Sequence, residues 1–248
     1  MALLGLRRDG SGAPLLWLHG FTQTSDSAHR FRSILSGQHE LLTLDLPGHG
    51  QNAQVVANLN ETADLIVEAI PEATFALSGY SYGARVALHV ALRHPERVER
   101  LIVLGASRGF IEPSLRAARR QLDERWAQLL EREGTERFLD AWLAQPLFAT
   151  LNANDDERGA RSVDAEGLAS SLRHAGTGTQ AWLGEQLSAI TVPTLALAGA
   201  LDTKFSLEAQ AIAEGVSQGS YTLIDNAGHA AHLEQPDSTA AVVRLFLR

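Results

Sequence analysis

The chain has 248 residues, of which 45% are hydrophobic and 20% are charged, and its formal net charge is -8. This balance suits one α/β domain with a complete hydrophobic core, and it argues against disorder and against nucleic acid as a partner. Because the chain has no cysteine, disulfides and thiolate metal sites are excluded. We find no apolar run of membrane-spanning length and no signal-peptide pattern, and so expect a cytoplasmic protein without stable membrane insertion.

The first clear strand patterns are the apolar runs at residues 15–18 and 41–44. The first run leads into a His-Gly-Phe turn, which is either a plain turn or one that directs the backbone N–H of Phe21 at a reacting oxygen. The second run ends in a turn that contains Asp45 and His49. We interpret these two side chains as turn residues without a catalytic role, because proline and glycine shape the backbone there.

Residues 74–88 contain the most informative pattern, an apolar run followed by Gly-x-Ser-x-Gly and then a helical pattern. Gly79 and Gly83 flank a turn in which a Cβ atom would clash with the backbone. Such a turn, a nucleophile elbow, lifts the hydroxyl of Ser81 above the sheet and aims the N–H of Tyr82 at a developing oxyanion. The alternative is a loop rich in glycine and serine that only reverses the chain.

The rest of the chain alternates helical and strand patterns. Helices are predicted at residues 61–70, 206–214 and 238–247, and strands at 98–104, 191–199 and 220–224. This alternation predicts an α/β fold with a doubly wound, mostly parallel sheet. Strand patterns are missing from residues 108–189, which we interpret as an inserted helical cap with too few apolar residues for its own core. The core would then comprise residues 1–107 and 190–248.

A serine hydroxyl becomes an effective nucleophile or base when a histidine accepts its proton and an acid orients that histidine. Asp202 and His229 each follow a predicted strand, at the edge where open α/β sheets place their sites. We therefore predict a triad of Ser81, Asp202 and His229. Alternatives are that Asp202 caps the next helix, or that Asp225 or His232 takes a triad position. No grouping of His, Asp and Glu has metal-site spacing, and no cofactor is expected.

Arginines occur where helical patterns predict apolar faces. Arg119 lies about 40° from Leu115 on a helical wheel, within an apolar stripe. Arg85 follows Ser81 by one turn on a helix that the sheet should bury, and Arg173 has a weaker pattern. Because a buried guanidinium is costly without an anion, we predict an anion pocket above Ser81 that suits a polycarboxylate. Snorkelling or structural salt bridges are the alternative.

Residues 18–22, 45–50 and 79–85 resemble the α/β-hydrolase superfamily. Further segments resemble one branch of it, the 2-succinyl-6-hydroxy-2,4-cyclohexadiene-1-carboxylate synthases of menaquinone biosynthesis. These segments are residues 116–126, Trp142 with residues 145–148, and residues 173–178, 202–205 and 227–229. The resemblance covers nearly the whole chain, with one departure at Ala84, where the branch usually has glycine.

The resemblance implies an α/β-hydrolase fold and a lyase reaction that releases pyruvate from a tricarboxylate. Ser81, activated by His229 and Asp202, would act as the base, and the N–H groups of Phe21 and Tyr82 would form an oxyanion hole. The implied substrate-binding residues are Tyr80, Arg85, Arg119, Trp142 and Arg173. A serine carboxylesterase that forms an acyl-enzyme is the alternative, and a binding protein without turnover is disfavoured by the complete triad. We expect a small polycarboxylate as the partner, and a monomer or weak homo-oligomer.

Overall fold

The computed structural model describes residues 4–248. Within these residues, seven strands form a single sheet. They are β1 (Leu6–Asp9), β2 (Pro14–Leu18), β3 (Glu40–Leu44), β4 (Phe75–Tyr80), β5 (Val98–Leu104), β6 (Thr194–Gly199) and β7 (Gly219–Ile224). Their order across the sheet is β1-β3-β2-β4-β5-β6-β7, and only the β1–β3 pair is antiparallel in this part of the chain. The predicted doubly wound, mostly parallel sheet is therefore confirmed.

The strand bounds differ from the predicted ones at a proline before β6 and at the polar edge strand β1. β5 has the predicted bounds, whereas β6 begins at Thr194, three residues later than predicted. Pro193 immediately precedes it and has no N–H to donate to a neighbouring strand. β1 was not predicted, because this edge strand carries the polar residues Arg7, Arg8 and Asp9 and is only partly buried.

Helices cover both faces of the sheet. They are α1 (His29–Ser36), α2 (Leu59–Ala69), α3 (Tyr82–Arg93), α4 (Pro113–Leu143), α5 (Ala165–Ala175), α6 (Thr203–Gly215), α7 (Ala231–Glu234) and α8 (Pro236–Phe246). Alternate residues of β2 belong to different clusters, since Leu16 packs with α2 and α3 while Leu15 packs with α1 and α8. This burial on both faces explains the continuous apolar runs of the strands. None of these helices has the length and apolar character needed to cross a membrane.

The chain between β5 and β6 is helical, as the patterns predict, and α4 and α5 pack against each other. The expectation that this region lacks a core is wrong. Eight buried residues form a separate cluster: Ala127, Leu130, Phe138, Leu139, Trp142, Leu168, Ala169 and Leu172. Phe21 of the sheet half packs against it, so the helices are anchored over the carboxyl ends of the strands. The exact division at residues 108–189 stays a prediction.

Candidate active site

Ser81 lies in a strained turn between β4 and α3. Its φ of 50° and ψ of -103° are rare for a residue with a side chain. A Cβ atom on Gly79 would lie 2.5 Å from the backbone of Gly83, and one on Gly83 would lie 2.3 Å from the carbonyl oxygen of Leu18. The turn therefore requires both glycines. The N–H of Ser81 donates to the carbonyl of Leu104 at 2.8 Å, which ties the turn to the neighbouring strand.

The predicted triad residues are in contact. Nε2 of His229 lies 3.0 Å from Oγ of Ser81, and Nδ1 of His229 lies 3.0 Å from Oδ2 of Asp202. The other carboxylate oxygen of Asp202 accepts the N–H of Phe205 at 3.1 Å, so Asp202 also caps α6. Asp202 therefore caps the helix with one carboxylate oxygen and contacts His229 with the other, so the two interpretations are compatible.

The electrostatics favour an ionised Asp202. Burial alone would raise the pKa of Asp202, but the hydrogen bond and the charge of His229 outweigh it and hold this pKa below its usual value. The N–H at Nδ1 of His229 then donates a hydrogen bond to this carboxylate. Nε2 of His229 therefore carries no proton and is free to accept the hydroxyl proton of Ser81. The ring of Phe205 lies 4.4 Å from the imidazole and limits its movement.

The rival residues have other surroundings. Asp225 is exposed, and His232 is fully buried beside Gln23. Asp45 accepts two backbone N–H groups at 2.7 and 2.8 Å, and His49 accepts one at 3.2 Å. Asp45 therefore joins its own turn to the loop that follows β2, and His49 bonds to the same loop. Within residues 4–248, no three His, Asp or Glu side chains cluster as a metal ion requires.

The backbone donors proposed for an oxyanion hole lie beside Ser81. Tyr82 is the first residue of α3, where N–H groups have no acceptor within the helix. Among the described residues, no acceptor bonds to the N–H of Tyr82 or of Phe21. Both residues line the same cavity as Ser81. Their use as an oxyanion hole stays a prediction.

A cavity of about 130 Å³ lies above Ser81. Four of the five predicted substrate-binding residues line it, namely Tyr80, Arg85, Arg119 and Trp142. Tyr80 and Trp142 are buried aromatic walls, and the ring of Tyr80 lies 5.3 Å from that of His229. The cavity is therefore enclosed by the sheet end on one side and by the helices between β5 and β6 on the other.

Arg85 and Arg119 place positive charge in this cavity. Arg85 is buried and donates to the carbonyl of Ala175 at 2.9 Å and to Oε1 of Gln180 at 3.2 Å, without a salt bridge to any described residue. Burial, together with the charge of Arg119, lowers the pKa of Arg85 to about 10, which leaves it protonated at neutral pH. Arg119 pairs with Asp123 at 2.7 Å, so the salt-bridge alternative holds for this arginine although it also faces the cavity.

Arg173 requires a correction, because its side chain is outside the cavity. Its guanidinium donates to Glu124 at 2.8 Å and to Glu131 at 3.0 Å on the outer side of α4, and these bonds raise the pKa of Arg173. The preceding residue, Leu172, lines the cavity. Since successive helical residues differ by about 100° in direction, α5 turns Arg173 away from the site.

Two cationic side chains that the patterns did not single out line the cavity instead. Arg161 is only 7% exposed and donates to Oγ1 of Thr22 at 2.5 Å. Lys204 lies two residues after Asp202, and burial and the charge of Arg119 lower its pKa. Neither forms a salt bridge with a described residue. Lys204 offered one signal, as the only lysine of the chain, whereas Arg161 lies in an irregular segment without periodicity.

Comparisons with known proteins agree with this geometry. The alpha/beta hydrolase family matches residues 15–242. The chain is 35% identical to the 2-succinyl-6-hydroxy-2,4-cyclohexadiene-1-carboxylate synthase of Enterobacter sp. (strain 638), over 100% of this chain and 97% of that protein.

Two solved structures are also similar. MenH from S. aureus superposes with a TM-score of 0.91 at 30% identity, over 100% of this chain and 98% of that one. A thermophilic esterase from Thermogutta terrifontis with malate bound has a TM-score of 0.83 at 25% identity, over 99% and 93% of the two chains. The chain therefore belongs to the alpha/beta hydrolase family and, within it, to the family of the 2-succinyl-6-hydroxy-2,4-cyclohexadiene-1-carboxylate synthases.

Proposed function

We propose that the chain is a lyase that eliminates pyruvate from 5-enolpyruvoyl-6-hydroxy-2-succinyl-cyclohex-3-ene-1-carboxylate and yields 2-succinyl-6-hydroxy-2,4-cyclohexadiene-1-carboxylate. The observation that carries this proposal is the charge of the cavity above Ser81. Arg85, Arg161 and Lys204 line it without salt bridges to described residues, and Arg119 adds a fourth cation. A tricarboxylate supplies the missing anions, and guanidinium groups bind carboxylates through two parallel hydrogen bonds.

The triad supplies the base. His229 accepts the hydroxyl proton of Ser81 on Nε2, and Asp202 stabilises the resulting imidazolium. The Ser81 oxygen then removes the proton from the ring carbon that carries the succinyl carbonyl. That carbonyl makes the proton acidic, because the negative charge of the carbanion spreads onto its oxygen. The N–H groups of Phe21 and Tyr82 are suited to stabilise this oxygen in the transition state.

Elimination follows from the position of the ring double bond. The electron pair left on the ring carbon forms a new double bond, the existing double bond shifts by one position, and the C–O bond to the enolpyruvyl group breaks. Pyruvate leaves as its enolate and takes up the proton held by His229. The proton taken from the ring carbon restores the hydroxyl of Ser81, so the triad returns to its starting state and needs no covalent bond to substrate.

Within this proposal, the remaining cavity residues bind the substrate. Arg85, Arg119, Arg161 and Lys204 face its carboxylates, and Tyr80 and Trp142 contact the ring. Arg173 is not included, because Glu124 and Glu131 already neutralise it. We also propose a cytoplasmic monomer or weak homo-oligomer, which cell fractionation and analytical ultracentrifugation test directly.

Ester hydrolysis is the alternative, because the same triad can attack a carbonyl and the similar esterase holds malate, a dicarboxylate. A coupled assay of pyruvate release by the purified protein separates the two reactions. We expect pyruvate to form in equimolar amount with the conjugated diene. Rapid hydrolysis of short p-nitrophenyl esters without pyruvate release would refute the lyase proposal.

A further inference from the structure

The short helix α7 contacts both of the loops that frame Ser81. The carboxylate of Glu234 accepts the N–H of Gly228 at 2.8 Å and that of Ala230 at 3.1 Å. These N–H groups belong to the residues on either side of His229. His232, on the same helix, contacts Gln23 in the loop that follows β2. One helical turn is thus bonded to the loop of the catalytic histidine and to the loop of Phe21.

The contact between Gln23 and His232 has a defined direction. The N–H of Gly20 donates to Oε1 of Gln23 at 2.8 Å, so the amide nitrogen of Gln23 faces Nε2 of His232 at 3.3 Å. An amide nitrogen can only donate, and His232 must therefore accept with an unprotonated Nε2. Burial lowers the pKa of His232 and keeps the ring neutral. Its ring lies 4.1 Å from that of Tyr80, which restricts its movement.

Gln23 also acts on the peptide group that contains the N–H of Phe21. The carbonyl oxygen of that peptide belongs to Gly20 and accepts a hydrogen bond from the backbone N–H of Gln23 at 3.1 Å. Nε2 of His19 accepts a hydrogen bond from the N–H of Leu46 at 3.0 Å, so the ring proton of His19 is on Nδ1. Nδ1 therefore donates a second hydrogen bond to the Gly20 carbonyl at 2.8 Å. In a trans peptide the C=O and N–H bonds point in opposite directions. Holding the Gly20 carbonyl therefore fixes the direction of the Phe21 N–H.

We propose that Gln23 and His232 are positioning residues for catalysis, which hold the Phe21 N–H in the direction that a developing oxyanion requires. Glu234 holds the loop of His229 from the same helix. The helix α7 thereby keeps the proton acceptor and the backbone donor in a fixed relation. This inference rests on the proposed role of Phe21 as an oxyanion donor.

A matched pair of variants at His232 tests the contact. In His232→Gln the side-chain oxygen can reach the place of Nε2 and accept from Gln23, whereas in His232→Asn it reaches only the place of Nδ1. We expect His232→Asn to lower kcat for pyruvate release on the order of 10-fold, with KM changed less than about twofold, since the loss is confined to transition-state stabilisation. His232→Gln should restore most of kcat. Equal kcat in the two variants would overturn the proposal.

A double-mutant cycle distinguishes positioning from general destabilisation. Gln23→Met removes both side-chain hydrogen bonds at similar length. If His232 acts through Gln23, the double variant Gln23→Met/His232→Asn should be no slower than Gln23→Met, while independent effects would multiply. His89→Gln is the control, because His89 does not line the cavity. The variant removes a buried imidazole of α3 that bonds to Asn60 of α2 at 2.8 Å. It should lower the Tm without changing kcat.

A fluorophosphonate probe separates this inference from the proposed function. Its reaction forms a bond between Ser81 Oγ and phosphorus and breaks the P–F bond, while fluoride leaves and His229 takes the hydroxyl proton. The phosphoryl oxygen occupies the oxyanion position whatever the natural substrate is. Slower labelling of His232→Asn than of His232→Gln supports the positioning role, and equal labelling rates contradict it. An unaltered protein that is labelled but releases no pyruvate refutes the proposed function alone, whereas one that releases pyruvate but is not labelled contradicts the positioning role alone.

Discussion

The core and the helical region between β5 and β6 contribute to the site in different ways. Ser81, Asp202 and His229 sit on loops that follow β4, β6 and β7. Ser81 bonds to the neighbouring strand β5, Asp202 bonds to the first turn of α6, and the loop of His229 is held by Glu234 of α7. Arg119 and Arg161 come from the other region and reach the cavity only because α4, α5 and the segment between them pack over the sheet.

We propose that this difference separates proton transfer from substrate binding. The hydrogen bonds of the triad are made within the sheet half, so we expect a change among the helices to leave the 3.0 Å contacts of His229 in place. The cationic side chains that line the cavity come from both regions. We therefore expect variants of the triad to lower kcat, and variants of the helical region to raise KM.

Ser81→Ala gives the largest expected effect. Without the hydroxyl, the protein lacks the base that removes the substrate proton, and the rate of pyruvate release should fall by at least about 10³-fold. Calorimetric titration should still show substrate binding, because every cation of the cavity remains. The strained φ of 50° persists in this variant, so Ser81→Gly serves as its control and should be more stable while equally inactive. Turnover by either variant would contradict the role of Ser81 as base.

Arg161→Ala tests the contribution of the helical region. Loss of one charge-assisted hydrogen-bonding group should raise KM on the order of 10- to 100-fold, with kcat changed less than about threefold. Steady-state measurement of pyruvate release gives both constants. A fall in kcat with unchanged KM would place Arg161 in proton transfer and would remove the distinction between the two regions.

Arg173→Ala is the matched control for Arg161→Ala, since it removes the same side chain from the same region of the chain. Arg173 is paired with Glu124 and Glu131 on the outer surface. Exposed ion pairs contribute little to stability. KM and kcat should therefore both remain within about twofold of the unaltered protein. A large rise in KM would restore the sequence-based assignment of Arg173 to the pocket.

These two arginines also show what a single sequence can reveal. The triad was predictable because each member follows a strand, and parallel strands bring their carboxyl ends to one edge. A helical pattern shows which residues share a face, but it does not show which face meets the cavity, and Arg173 was misplaced for that reason. Arg161 lies after a short irregular turn and is fixed by contacts with Thr22, 139 residues away in sequence, which no local pattern records.

Arg119→Gln should have an intermediate effect, because Arg119 serves both the cavity and the fold. Its loss leaves the buried carboxylate of Asp123 with the N–H of Gly178 at 3.2 Å as its remaining hydrogen bond. KM should rise several-fold, and the Tm should fall because an unpaired buried charge is costly. The double variant Arg119→Gln/Asp123→Asn should recover the Tm but not KM. Recovery of both the Tm and KM would mean that Arg119 has only a structural role.

The smallest effect concerns acid stability, which should originate in the core. Burial lowers the pKa of His89 to about 4 and that of His49 to about 3. In the unfolded chain these histidines have their ordinary pKa of 6.5. Between pH 6.5 and 4 the unfolded state therefore binds more protons, so stability is lost as the pH falls through this window. Each such histidine adds a slope of up to about 1.4 kcal/mol per pH unit.

His89→Gln should flatten this slope, measured as the free energy of unfolding in urea at several pH values from 6.5 to 4.5. Arg173→Ala should leave the slope unchanged. The pKa of Glu124, which Arg173 lowers to about 2, affects stability only as the pH falls below the ordinary glutamate value of 4.5. The chosen window thus excludes the surface ion pairs of α4 and α5. An equal change of slope in Arg173→Ala would show that acid first loosens the helices over the cavity, and the two regions would then have to be treated as one titrating unit.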